Sequence, residues 1–429
     1  MTKDKFTVVG SQPDQKRYQT CRRMLVGPWC KQPNEYQGYN GFVGWAGVAI
    51  LKSGRWVLAF NSGYWHASYP WTPEIHESIQ RNAKFYEMFQ SWRKLGMPDI
   101  YAPRGGRCHL MHSDDGGVTW SDPRLLVDTE WTDVHPTIVQ LDDGAVLCTF
   151  CSDSLPLQIA CRYMRSDDGG VTWSEAKTLD DVHGGFGNGS TIKLADGTIL
   201  WAIEDRVEDY DEFFGRSPAI AIYRSPDHGR SFHRHATVNF GHDVYEPSIV
   251  ELPDHRLALI ARREGEIFFS DDGGKTWPES VSTGVDMFDP HLLMMPNGVL
   301  ACFHGSYSDK APGNLRVILS PDLGRTWNGP MDHCGYTIDP SVYGYCHPMV
   351  LSDGSVYLAY IHTGGHSAAD ARTEAIWAIR VKVSDTADGI EILPAPGSPE
   401  ALGYDCAGLS TLPATAGNPE LGNYANRNE

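Results

Sequence analysis

Five times the chain repeats nearly the same eight residues: Ser113-Asp-Asp-Gly-Gly-Val-Thr-Trp120, Ser166 to Trp173, Ser225 to Phe232, Ser270 to Trp277 and Ser320 to Trp327. A turn rewritten with a fixed aromatic end restricts the fold to an array of one supersecondary unit. The Asp and Ser side chains suit bonds to nearby backbone amides, the Gly supplies a positive-φ position, and the Trp packs beneath the hairpin.

A second repeat lies between the octets. Short apolar strands flank a tight turn in Gly41 to Gly54, His135 to Gly144, Asn188 to Gly197, Glu246 to His255, Asp289 to Gly298 and Tyr345 to Gly354. Each is followed by another strand, such as Ala145 to Phe150, so these are hairpins. Five of the six are followed by an octet. The expected fold is all-β: a six-bladed β-propeller forming one domain over residues 1–429, with a helical insertion in blade one. Phe6 to Val9 or Arg23 to Val26 is expected to complete the last blade, which ends in Glu374 to Val383.

The repeat also has a register. Nine residues before each turn position stand Trp45, His135, Asn188, Glu246, Asp289 and Tyr345. These begin the innermost strands and are expected to ring one mouth of the central channel. Sixteen residues further on stand Asn61, Cys151, Glu204, Arg262, Gly305 and Ile361, a second ring at the same face. The octets fall at the opposite edge and are scaffold. Carboxylates, a phenol and the imidazoles of His135, His291 and His347 gathered at one mouth point to a functional site.

Composition narrows the partners. A net charge of −18 argues against nucleic acid and against an anionic membrane. No apolar run approaches the roughly 18 residues of a transmembrane helix. Met1 to Phe6 lacks the apolar core of a secretory signal, so the chain is expected to be cytoplasmic, or else a trimmed secreted or periplasmic protein. The ten cysteines show no Cys-x-x-Cys spacing, which favours free buried thiols. With no compact His-x-x-x-His or Cys/His pattern either, no metal or cofactor is expected. The oligomeric state is left open.

The octets resemble the Asp-boxes of the sialidase-like β-propellers, and two further stretches carry that resemblance to individual residues. In that family a Tyr nucleophile opens the inner strand of the last blade, in a pattern like Tyr-Ser-x-x-x-x-Leu-x-Asp-Gly. Here Tyr345-Cys-His-Pro-Met-Val-Leu-Ser-Asp-Gly354 stands at the same offset. A family Glu that takes the tyrosine proton lies sixteen residues before an arginine of the substrate-binding triad, and Glu246 and Arg262 match that spacing. An adjacent carboxylate makes chemical sense because a neutral phenol is a weak nucleophile. The other two triad arginines lack counterparts. Gly44-Trp45-Ala46 and Lys310-Ala-Pro-Gly-Asn314 stand where they are expected.

The resemblance implies an exo-type glycoside hydrolase acting on a glycan, here an acidic sugar other than ordinary sialic acid. Tyr345 would attack, Glu246 would accept its proton, and Arg262 would hold a carboxylate or hydroxyl. The acid would be Asp99, on the insertion where the family places its own, or His135, with Asp133 two residues earlier. Substrate contacts are expected from Trp45, Asn188, Asp289, His291, His347 and Arg206, and from Tyr64 and His66 on the insertion of about residues 64–106. Pro73 to Leu95 within it reads as a helix capped by Thr72, either a lid or pocket wall or a surface helix. Two other readings stay open: a lyase acting on a uronic acid glycan through His and Tyr, and a carbohydrate-binding propeller without catalysis.

Overall fold

The computed structural model describes residues 15–27, 42–63, 69–70, 72–81, 86–87, 90, 101–102, 105–153, 159–179, 190–205, 217–306, 314–329, 334–362 and 375–403. They form an all-β, propeller-type arrangement of antiparallel sheets. Three sheets have four strands. One runs Phe42–Ile50, Trp56–Gly63, Arg107–Ser113 and Arg124–Val127, and a second Thr132–Gln140, Val146–Asp153, Ile159–Ser166 and Lys177–Thr178. The third runs Met287–Met294, Leu300–Ser306, Leu315–Ser320 and Tyr336–Asp339. A five-stranded sheet takes Arg23–Val26 from the N-terminal side onto Ile376–Val383, beside Val356–Ile361 and Cys346–Val350, with Ile390–Leu393 added. Of the two candidates for closing this sheet, Arg23–Val26 does so; Phe6 to Val9 lies outside the described residues.

The expectation of six separate blades with a helical insertion is corrected on two counts. The remaining large sheet is one continuous seven-stranded sheet from Thr191–Lys193 to Glu279–Ser282. Its centre is a single 19-residue strand, His233–Glu251, which pairs with Ser217–Ser225 along its first part and with Leu257–Arg262 along its last. Two repeats that the sequence separates therefore share a strand, leaving among the described residues four sheets of four or five strands, one of seven, and the two-stranded parallel pair of Tyr69–Pro70 with Tyr101–Ala102. The described helix is also small. On the insertion it is the nine-residue Pro73–Arg81, and most of residues 82–100 lie outside the described residues. No helix among the described residues is long and apolar enough to cross a membrane.

The innermost strands touch in a closed circuit: Phe42–Ile50 with Thr132–Gln140, then Thr191–Lys193, His233–Glu251, Met287–Met294 and Cys346–Val350, which returns to Phe42–Ile50. The core fills the spaces between neighbouring sheets. Trp56 and Leu58, for example, pack with Tyr357 and Ala359, and Leu147 with Trp201. Seven of the eight described cysteines are fully buried, and all eight are free.

The octets behave as local staples. In each, the Ser hydroxyl accepts the N–H of the residue four further on, and the Asp at the third position accepts the Ser hydroxyl. Trp173, Trp277 and Trp327 donate their indole N–H to the glycine carbonyl of their own turn. The strand pairing puts Ser113 opposite Trp56, at the far end from Arg107 and Ser62, so the octets sit away from the channel mouth.

Candidate functional site

Five of the six innermost strands are edges of their sheets, and the last part of His233–Glu251 pairs only with Leu257–Arg262, so there too one row of backbone groups has no ladder partner on the channel side. Four of these strands share a further device. The ladder slips between Gly44 and Gly47, Val134 and Thr137, Tyr245 and Ser248, and Phe288 and His291. At each slip two residues oppose one, which is a β-bulge, and bulges re-aim side chains beside sites. The first bulged residue is Trp45, His135, Glu246 or Asp289, with φ of 43°, 57°, 52° and 46°. Non-glycine residues seldom adopt positive φ, so its repetition marks a built feature. Three of the four bulges carry Pro next, at Pro136, Pro247 and Pro290. Within sheets Pro is confined to edges and bulges, so this signal was present in the sequence.

Three predicted residues meet directly. The Tyr345 hydroxyl donates to Glu246 Oε1 at 2.6 Å. Arg262 Nη1 donates to the same oxygen at 2.7 Å and to the Tyr345 hydroxyl oxygen at 3.1 Å. Burial and the negative charge of Glu246 hold the phenol well above its ordinary pKa, against the pull of Arg262. Burial also raises the Glu246 carboxyl, with Arg262 opposing. Burial is the largest influence on Arg262 and works against its charge, but Glu246 together with Tyr345, Tyr245 and Tyr343 outweighs it and holds the guanidinium above its ordinary pKa. The guanidinium lies 4.3 Å from the Tyr245 ring centroid, a cation–π contact. A protonated phenol is thus held against a buried carboxylate that can take its proton.

The other described candidates surround this trio. Asp289 is buried, with Oδ2 accepting the Cys346 N–H at 2.9 Å and Oδ1 lying 3.6 Å from His291 Nε2. Trp45 stands edge-on to Tyr345 at 6.2 Å between ring centroids and packs on His135 at 4.4 Å. His291 and His347 face each other at 5.4 Å. Burial lowers both His135 and His347 to about 3, so both imidazoles are neutral near pH 7. Trp45, His135, Asp289, His291, Tyr345 and His347 line one depression. Asp99, Asn188, Tyr64, His66 and Arg206 lie outside the described residues. Among the described residues no group of three His, Cys, Asp or Glu side chains is placed to hold a metal.

Sequence reasoning missed the aromatic bed of the trio. Tyr343 stacks on Tyr345 at 5.6 Å and 7°, and Phe288 packs on both. Each lies within two residues of a ring position, a proximity that was the available signal. Glu204, foreseen only as part of the second ring, accepts the Glu246 N–H at 3.1 Å through Oε1.

Residues 156–328 match a family model described as a BNR repeat-like domain. A sialidase of Micromonospora viridifaciens is 26% identical over 309 residues, covering 61% of this chain and 46% of the relative. The chain thus spans about half the length of that relative. Among solved structures, a Dyadobacter fermentans protein of unknown function superposes with a TM-score of 0.61 at 17% identity, over 87% of this chain and 99% of its own. A Trypanosoma rangeli sialidase in complex with sialic acid superposes with a TM-score of 0.53 at 14% identity, over 83% of this chain and 58% of its own. At such identities the superpositions speak for the fold alone. Taken with the repeat match and the sialidase relative, they support a sialidase-like propeller built from BNR-type repeats.

Proposed function

We propose that the protein is an exo-type glycoside hydrolase that forms a covalent glycosyl intermediate on Tyr345. The observation carrying this reading is the 2.6 Å bond from the phenol to Glu246, with Arg262 bridging both. Glu246 takes the phenol proton as the Tyr345 oxygen attacks the anomeric carbon, and the glycosidic oxygen leaves with a proton from the acid. Water, giving a proton to the acid that lost its own in the first step, then displaces the tyrosine, whose oxygen regains its proton from Glu246, with overall retention of configuration. His135 is neutral near pH 7 and holds no spare proton, so this reading gives the acid role to Asp99.

A carbohydrate ligand is supported by analogy with the Trypanosoma rangeli sialidase, which is in complex with sialic acid. The sequence assigned Arg262 to a carboxylate or hydroxyl of the sugar. In the structure its Nη1 is engaged by Glu246 and Tyr345, so we assign it first to orienting that pair.

A panel of acidic and neutral aryl glycosides tests the proposal. Tyr345→Phe is expected to lose about 10³-fold or more in turnover on any glycoside hydrolysed, while keeping its circular dichroism and thermal midpoint. Unchanged turnover would remove the mechanism. A product absorbing in the near ultraviolet as an unsaturated uronide would instead show elimination. Sugar binding without turnover, insensitive to Glu246→Gln, would show a binding module.

A further inference from the structure

A bulged residue at a strand without an outer neighbour leaves its N–H without a ladder partner, and burying an N–H in that state is costly unless another acceptor takes it. At two of the four bulges a carboxylate of the preceding repeat fills the vacancy, and the amide after Tyr345 is held in the same way. Glu204 Oε1 accepts the Glu246 N–H at 3.1 Å, Glu246 Oε2 accepts the Asp289 N–H at 2.7 Å, and Asp289 Oδ2 accepts the Cys346 N–H at 2.9 Å. Across the last gap His347 Nδ1 accepts the Val48 N–H at 3.3 Å. Side chain hands to backbone, strand after strand, around the side of the channel that holds the nucleophile pair.

Asp289 has a singular place in this relay. Its N–H fixes the Glu246 oxygen that does not face the phenol, which sets the rotation of the carboxylate. Its carboxylate fixes the amide that follows Tyr345, on the one inner strand of the pair that has no bulge. Both members of the proton-transfer pair are therefore registered against one residue. Its left-handed φ of 46° is a conformation that Asp and Asn tolerate better than most residues.

We propose that Asp289 is a positioning residue, not a substrate contact: it holds Glu246 and Tyr345 in register through its backbone N–H and its carboxylate. This rests on the reading of Tyr345 as nucleophile. It also explains why Asp stands there, since an Asn side chain supplies the same acceptor and tolerates the same φ, whereas Ala does neither.

The test compares Asp289→Asn with Asp289→Ala by two readouts. On the best aryl glycoside of the panel, the Asn variant is expected within about 5-fold of the parent kcat, and the Ala variant to lose about 100-fold in kcat with KM changed less than about 3-fold. Equal losses in kcat for both variants, or KM effects without kcat effects, would overturn the proposal, because those belong to a charge or a substrate contact. The second readout is the NMR signal of the carbon-13-labelled phenol carbon of Tyr345, assigned by its absence in Tyr345→Phe. It should move or broaden in the Ala variant and stay in place in the Asn variant. A Tyr345 signal unmoved by Ala would overturn the proposal. If the Ala variant does not fold, the Asn variant decides: a retained signal supports the relay and a displaced one overturns it. The NMR comparison needs no substrate, so turnover by Tyr345→Phe would dismiss the nucleophile reading without deciding the role of Asp289.

Discussion

At the scale of single residues, burial holds the imidazoles of His135 and His347 neutral near pH 7. His135 is held at about 3, against an ordinary value of about 6.5. A histidine with a depressed folded-state pKa stabilises the protein fully above its unfolded value. That stability is lost as pH falls toward the folded value, because the unfolded chain takes up the proton first. The window is thus about pH 6.5 down to about 3, with a slope near 1.4 kcal/mol per pH unit once the unfolded imidazole is protonated. His135→Phe is expected to flatten the acid limb of a denaturant-derived stability curve by about that slope; an unchanged limb would show that His135 is not the neutral group described. The sequence located Tyr345, Glu246, Arg262 and Asp289 because they recur at fixed offsets from a turn. It could not show what Asp289 bonds to, since that depends on which backbone amide of the next sheet lies opposite.

At the scale of elements, turns and bulges explain where residue identity is free. Three octets carry Gly116, Gly169 and Gly273 at a position with φ of 68°, 72° and 75°, while the others place His228 and Leu323 there at 59° and 60°. A Cβ built on Gly273 meets nothing within 4 Å, so the demand at that position is conformational, not one of space. His228→Gly is therefore expected to stabilise by about 0.5–1 kcal/mol in a denaturant titration; a loss of stability would mean that the imidazole contributes more than the backbone costs. The octets were legible because their chemistry is local. Bulges were legible in principle, through Pro136, Pro247 and Pro290, because Pro in a strand has few permitted places. The fusion of two repeats was not, because continuity through Phe240, Gly241 and His242 is decided by pairing with Ser217–Ser225 and Leu257–Arg262, partners far along the chain.

At the scale of the whole molecule, the N-terminal strand Arg23–Val26 completes the five-stranded sheet, and a buried ion pair secures its attachment. Buried Arg22 donates to Asp339 Oδ2 at 3.0 Å and to Ser341 at 2.7 Å, and its guanidinium lies 4.2 Å from the Trp377 ring. Asp339 is fully buried and also accepts the Tyr360 hydroxyl at 2.9 Å, so removing the cation strands a buried carboxylate. Arg22→Met is expected to cost about 3–5 kcal/mol, read as a drop in denaturation midpoint; a change within about 0.5 kcal/mol would show that the attachment does not depend on this pair. The segment from Asp339 leads directly to Tyr343 and Tyr345, so attachment of the N-terminal strand and placement of the phenol share one stretch of chain. The claim that Tyr345 forms the covalent intermediate is tested most directly by trapping. The protein is incubated with a fluorosugar fluoride of the sugar class turned over best, which slows release of the glycosyl group, then digested and read by tandem mass spectrometry. The account predicts one glycosyl adduct on Tyr345, absent in Tyr345→Phe; an adduct on another residue, or none despite turnover of the parent glycoside, would contradict it.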